Sequence, residues 1–156
     1  MSDKIVKKVE HLPQLTAVKR TDKLIQRVAA YARVSTGKEE QQTSIVAQKE
    51  YYTDYIKSHA GWQFVGVYAD EGISGCSTKR REQFKQLMSD CMAGKIDMVL
   101  TKSISRFGRN TVDTLTTIRE LKSKGIGVYF EKEQVWTMDS KGEFIITLMS
   151  SLAHEE

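Results

Sequence analysis

One segment constrains the fold more than any other. Val28, Ala29, Ala30, Tyr31, Ala32 and Val34 form a nearly continuous apolar run, interrupted only by Arg33 and ended by Ser35, Thr36 and Gly37. A short run of this kind fits a strand buried on both faces, as in a parallel sheet covered by helices. The rest of the chain supplies the cover. Ile45, Tyr52 and Ile56 recur at helical spacing around Gln48 and Lys49. Trp62 to Ala69, rich in Trp, Phe, Val and Tyr, predicts a second strand, followed by a loop from Asp70 to Gly75.

Phe84, Leu87, Met88, Cys91 and Met92 lie at i, i+3, i+4, i+7 and i+8, an amphipathic helix that Gly94 closes as a C-cap. Asp97 to Thr101 predicts a third strand, and a polar loop carries Ser103, Ser105, Arg106, Gly108 and Arg109. Val112, Leu115, Ile118 and Leu121 mark the next helix, ended by Gly125. Val128 to Phe130 predicts a fourth strand, Val135 and Trp136 a short fifth, and Phe144, Ile145, Leu148, Met149, Leu152 and Ala153 a last helix. Alternating strands and helices predict an α/β domain. The expected form is a three-layer sandwich: a central, mostly parallel sheet of four to five strands flanked by helices, plus the C-terminal helix. Function in such sheets collects beyond the carboxyl ends of the strands, here the loops after Val34, Ala69 and Thr101.

A length of 156 residues suits one core, and 40% apolar with 28% charged residues is ordinary for a globular chain. A formal net charge of +4 is only a weak pointer to nucleic acid. Residues 1–26 read as a basic arm, in which Lys4, Lys7, Lys8, Lys19, Arg20 and Lys23 outnumber Asp3, Glu10 and Asp22. Such an arm is either a flexible or loosely docked segment or a contact to phosphates. Residues 27–156 are expected to form the folded domain. Cys76 and Cys91 form no C-x-x-C pair; Cys91 reads as core and Cys76 as a free thiol in a loop, which fits a reducing compartment. With no apolar run of membrane-span length and no apolar segment in Met1 to Glu10, a cytoplasmic protein is expected. No Gly, Asn or Pro closes the last helix, so further sequence is expected beyond Glu156, with the apolar stripe packing on a partner.

Three clusters carry chemistry. In Tyr31-Ala32-Arg33-Val34-Ser35-Thr36, Arg33 and Ser35 are two apart and share one side of an extended segment. A guanidinium beside a hydroxyl suits a phosphate that the serine attacks, although a surface arginine before a capping serine has the same letters. In Ser105-Arg106-Phe107-Gly108-Arg109, Arg109 falls at the start of a helix, an end that favours anions rather than cations. An arginine there makes sense with an anion between, or as part of a solvated basic loop. In Asp70-x-x-x-Ser74-Gly75, with Lys79, Arg80 and Arg81 downstream, Ser74 and Gly75 offer donors to phosphate, or form an ordinary surface loop. Adjacent Asp70 and Glu71 point apart in an extended segment and make a poor acid–base pair. His11, His59 and His154 show no ligand spacing, so no metal is expected. Nucleotide-binding glycine loops and a nucleophile elbow are absent from the sequence.

Taken in order on an α/β frame, the clusters resemble the serine site-specific recombinase family of resolvases, invertases and large serine integrases. The resemblance covers Arg27 to Glu156 and rests on Y-A-R-V-S-T at Tyr31 to Thr36 and S-R-F-G-R at Ser105 to Arg109. It implies Ser35 as the nucleophile and Arg33, Arg106 and Arg109 around the scissile phosphate. Tyr31, Gln48, Asp70, Ser74, Arg81 and Ser105 are the supporting positions it implies. Resolvase-type members carry Asp before the first arginine of R-x-G-R, where this chain has Ser105. The second glutamine of the pattern falls at Gln42 or is replaced by Thr43. The wording K-S-I-S-R-F-G-R and the leading arm resemble the large serine integrases and transposon recombinases.

The resemblance implies double-stranded DNA as substrate, a 5′-phosphoserine intermediate, no cofactor, and a homodimer that assembles to a tetramer. The group that deprotonates Ser35 stays open between Asp70 and a path through the arginines. Two other readings are a catalytically silent DNA-binding or assembly module and a small-molecule phosphotransferase.

Overall fold

A computed structural model describes residues 24–35, 44–72 and 81–155. Among the described residues five strands form one sheet: β1 Gln26–Ser35, β2 Trp62–Gly72, β3 Met98–Thr101, β4 Gly127–Phe130 and β5 Val135–Trp136. The order is β2-β1-β3-β4-β5; β5 alone is antiparallel, so the expected mostly parallel sheet is present. Among the described residues the helices are α1 Ile45–Lys57, α2 Glu82–Met92, α3 Ile104–Phe107, α4 Thr111–Ser123 and α5 Ser140–Glu155.

The apolar run of β1 is the centre of the molecule, as its composition requires. Its alternate residues serve opposite faces. Val28, Ala30 and Ala32 pack with Tyr52 and Ile56 of α1. Ala29 and Tyr31 pack with Leu87 and Cys91 of α2, Leu115 and Ile118 of α4, and Ile146 and Met149 of α5. Helices on both faces make three layers. The start of β1 is pinned to β3 by Arg27, whose Nε and Nη2 both donate to the Asp97 carboxylate at 3.0 Å. Such two-point pairs fix geometry as well as adding energy.

Four features differ from the sequence expectation. Gln26, assigned to the arm, opens β1 and donates its N–H to the Gly61 carbonyl at 2.8 Å. Asp70 and Glu71, assigned to a loop, lie in β2, because β1 and β2 stay in register to Ser35 opposite Gly72. The polar loop after β3 contains α3. This short turn forms because Ile104 and Phe107, three apart, both find apolar cover. Phe107 is fully buried with its ring edge-on to Phe84 and Phe130; emptying that site would cost about 3–5 kcal/mol. Finally, the expected stripe on α5 divides: Met149 is buried in the domain, together with Ile146 from outside the stripe, while Phe144, Leu148 and Leu152 are exposed. No helix among the described residues is long and apolar enough to cross a membrane.

Candidate active site

The carboxyl ends of β1 and β3 meet at two arginines. Arg33 Nη2 donates to the Ser105 carbonyl at 3.1 Å, and Arg106 Nη1 donates to the Arg33 carbonyl at 3.0 Å. Each arginine therefore holds the backbone of the other's segment. α3 is fixed from its other side by Glu133, whose Oε1 accepts the Ile104 N–H at 3.2 Å. A guanidinium has five N–H donors in a planar fork, a shape that suits a carbonyl on one side and an anion on another. The Arg33 pKa is lowered by burial and then by the charges of Arg81 and Arg106, with Tyr31 and Asp70 opposing. An anion among these cations would relieve both costs.

Beneath this pair lies a more buried layer. The Tyr31 hydroxyl donates to Asp70 Oδ2 at 2.8 Å. The same carboxylate accepts the backbone N–H groups of Gln83 at 2.9 Å and Phe84 at 3.0 Å, in the first turn of α2. Asp70 thus acts as a helix cap supplied from a neighbouring strand, where the positive end of the helix favours a carboxylate. Arg81, at the cap position of α2, has a side chain only 5% exposed. Its Nε donates to the Tyr31 hydroxyl at 3.4 Å, its Nη2 to the Phe107 carbonyl, and its Nη1 lies 3.5 Å from Asp113 Oδ2. The guanidinium also lies 3.8 Å from the Phe84 ring centroid. All three of its nitrogens face protein groups. Arg81 binds β1, α3 and α4 together from within.

Arg109 is different. It precedes Asn110, whose side chain caps α4 by accepting the Asp113 N–H at 2.8 Å. Its own backbone N–H donates to Asp113 Oδ2 at 2.9 Å, while the residue itself is exposed. The preceding Gly108 touches α4 so closely that a Cβ would lie 2.8 Å from the backbone N and Cα of Thr114. Glycine lets the chain pass, and the tight junction fixes the backbone from which the Arg109 side chain leaves.

The remaining predicted residues are less closely gathered. Ser35 closes β1, two residues beyond Arg33 and opposite Gly72. Ser105 is exposed, with its Oγ 3.1 Å from the Oγ of buried Ser103. Gln48 is on α1, which covers the opposite face of the sheet from Tyr31; it lines a cleft of about 310 Å³ with Tyr51, Tyr52, Lys102 and Glu131. Ser74, Cys76, Gln42, Thr43 and most of the basic arm lie outside the described residues. Sequence reasoning passed over Asp113, Glu133 and Glu131, which accepts from the Tyr51 and Tyr52 hydroxyls at 2.8 and 2.7 Å. Only Asp113 left a trace, as the Asn110-x-x-Asp113 pattern of a helix start. Among the described residues no three His, Cys, Asp or Glu are grouped to hold a metal ion.

Comparison with known proteins gives a consistent result. The family profile described as "Resolvase, N terminal domain" matches residues 28–156. The transposon Tn3 resolvase of Escherichia coli is 31% identical over 130 residues, covering 83% of this chain and 63% of that protein. The R46 site-specific recombinase of Escherichia coli is 29% identical over 133 residues, covering 83% and 62%. The chain thus spans less than two thirds of these curated relatives. Among solved structures, the N-terminal catalytic domain of TP901-1 integrase superposes with a TM-score of 0.67 at 29% identity, covering 83% of this chain and 95% of that one. A resolvase family site-specific recombinase from Streptococcus pneumoniae gives 0.66 at 30%, covering 83% and 86%. Motifs, sheet order and these likenesses agree: the chain belongs to the serine recombinase family and has the fold of its resolvase-type catalytic domain.

Proposed function

We propose that this chain is the strand-cleaving and rejoining domain of a site-specific DNA recombinase, with Ser35 as nucleophile. The Ser35 hydroxyl oxygen attacks a DNA phosphorus, the bond to the 3′ oxygen breaks, and a 5′-phosphoserine and a free 3′-hydroxyl result. The serine proton leaves and the 3′ oxygen gains one, so the step is balanced. A 3′-hydroxyl from the other duplex then attacks the phosphoserine and releases Ser35. One phosphoester replaces another each time, and no nucleotide is consumed.

The observation that carries this reading is the mutual tie of Arg33 and Arg106. It joins the end of β1, where Ser35 lies, to the turn that leads to Arg109. Guanidiniums fixed before the reaction stabilise the charge that builds on phosphoryl oxygens without reorganising. Arg33, Arg106 and Arg109 are the phosphate ligands; Tyr31, Asp70 and Arg81 support them, with Gln48, Ser74 and Ser105 at the margin. Exchange of two duplexes needs four serines, hence dimers that pair into a tetramer. The exposed side of α5 is the dimer surface of this reading, and the cytoplasm its compartment.

The test is a nicked duplex spanning the recombination site of the element that encodes the chain. Full-length protein should form a covalent DNA adduct that mass spectrometry maps to Ser35, absent in Ser35→Ala. An adduct elsewhere would keep the reaction and overturn the nucleophile. Bound cognate DNA without any adduct would leave a silent assembly module.

A further inference from the structure

One carboxylate oxygen connects the buried and the exposed arginines. Asp113 Oδ2 accepts the Arg109 backbone N–H at 2.9 Å and lies 3.5 Å from Arg81 Nη1. The Asp113 backbone is itself held by Asn110 Oδ1 at 2.8 Å. Arg81 in turn reaches the Phe107 carbonyl and the Tyr31 hydroxyl. The chain from Phe107 to Asp113 is therefore bound to a buried cation at both ends, with Arg109 between them.

We propose that Asp113 is a positioning residue for strand cleavage: its Oδ2, shared by the Arg109 backbone and the Arg81 guanidinium, sets where the Arg109 side chain meets the scissile phosphate. The inference rests on the recombinase reading given above. Arg109 is exposed on a short link between α3 and α4, and Gly108 against Thr114 leaves that link little room. A peptide plane held by its N–H cannot rotate, so the direction of the Arg109 side chain is restricted. The charge on Asp113 has its own part. Arg81 is buried, and a buried guanidinium requires a nearby counter-charge to stay in place. Without it, Arg81 would draw away from Phe107 and release α3. Asp113 touches no substrate in this account and acts through both arginines.

The test measures single-turnover adduct formation on the nicked duplex at saturating DNA, together with DNA affinity and the unfolding midpoint. Asp113→Asn keeps an oxygen for the Arg109 N–H and loses the charge; Asp113→Ala loses both. Misplacement of a reacting group by an ångström costs roughly 10²-fold, so adduct formation should slow by up to that order, more for Ala than for Asn. DNA affinity should stay at the wild-type value, since phosphate charge is still met. In an Arg109→Ala background, Asp113→Ala should cost clearly less than it does alone, because the part that acts through Arg109 is already lost and only the part through Arg81 remains. An Asn variant as fast as wild type would overturn the proposal. So would rate and affinity falling together, losses that multiply in the double variant, or loss of folding in both single variants. Failure of the wild type to form a Ser35 adduct would instead sink the recombinase reading.

Discussion

The Tyr31 hydroxyl donates to Asp70 Oδ2 at 2.8 Å, between the paired strands β1 and β2 that carry the Tyr31–Thr36 and Asp70–Gly75 clusters. Asp70 also accepts both N–H groups at the start of α2. Its carboxylate is therefore committed to three donors, which argues for support of the site over removal of the Ser35 proton. Asp70→Ala would leave those donors without an acceptor, at a cost of about 1–3 kcal/mol. Chemical denaturation should show that loss in the absence of DNA; an unchanged midpoint would contradict the capping role.

The same tyrosine predicts an alkaline limit. Burial pushes the Tyr31 phenol up from 10.0 to about 12, against the lowering effect of the Arg81 charge. The folded state holds this proton more tightly than the unfolded state. Its contribution to stability is complete below pH 10 and is lost as pH rises from 10 towards 12. Tyr31→Phe should be less stable at neutral pH but show a shallower decline across that window. A parallel decline in variant and wild type would place the alkaline sensitivity on Tyr51, Tyr52 and Tyr68, whose pKa values are also raised mainly by burial.

The sheet was legible because β1 is apolar on both faces and the covering helices carry clear periods. Cys91 and the positive-φ glycines Gly94 and Gly125 fell where the pattern placed them. The motif arginines were legible as residues but not in their roles. Arg81 and Arg109 look alike in sequence, yet one is enclosed by Tyr31, Phe84 and Asp113 and the other faces solvent. That difference arises from packing between α2, α3 and α4, which no local period records. α3 was hidden because two apolar residues in a polar stretch give no repeat. Asp113 was hidden because half of its role depends on Arg81, remote in the chain.

Gly108 provides a steric test of the α3–α4 junction. Its φ of −119° suits any residue, so the requirement is space alone. In Gly108→Ala the new methyl would press on the Thr114 hydroxyl and lie 2.8 Å from its backbone N and Cα. Forcing a methyl into such a site costs about 1–3 kcal/mol, and Arg109 should move with the junction. The thermal midpoint and the adduct rate should both fall. Thr114→Ala should not restore them, because the backbone contact remains; full rescue would show that the hydroxyl alone is the obstacle.

Arg33→Lys tests whether charge suffices. Arg33 uses Nη2 to hold the Ser105 carbonyl, and only a branched, planar group can do this while presenting further donors to a phosphate. An ammonium can serve one task or the other. Loss of one such transition-state donor costs about 10²–10³ in rate, and Arg33→Lys should fall in that range for adduct formation while binding DNA normally. Near-wild-type cleavage would remove Arg33 from the phosphate site.

The exposed face of α5 can be separated from its buried face. Phe144, Leu148 and Leu152 stand at i, i+4 and i+8, one stripe on the outside, while Ile146 and Met149 anchor the helix against α4 and the sheet. A row of large apolar side chains left in water is a site for association. Leu148→Glu places a charge in the centre of that row without entering the core, so the unfolding midpoint should hardly change. Sedimentation of the full-length protein should show a weaker dimer, and adduct formation should decline at low protein concentration and recover as concentration rises. Self-association equal to that of the wild type would move the dimer surface away from α5, leaving the stripe as an ordinary exposed apolar face.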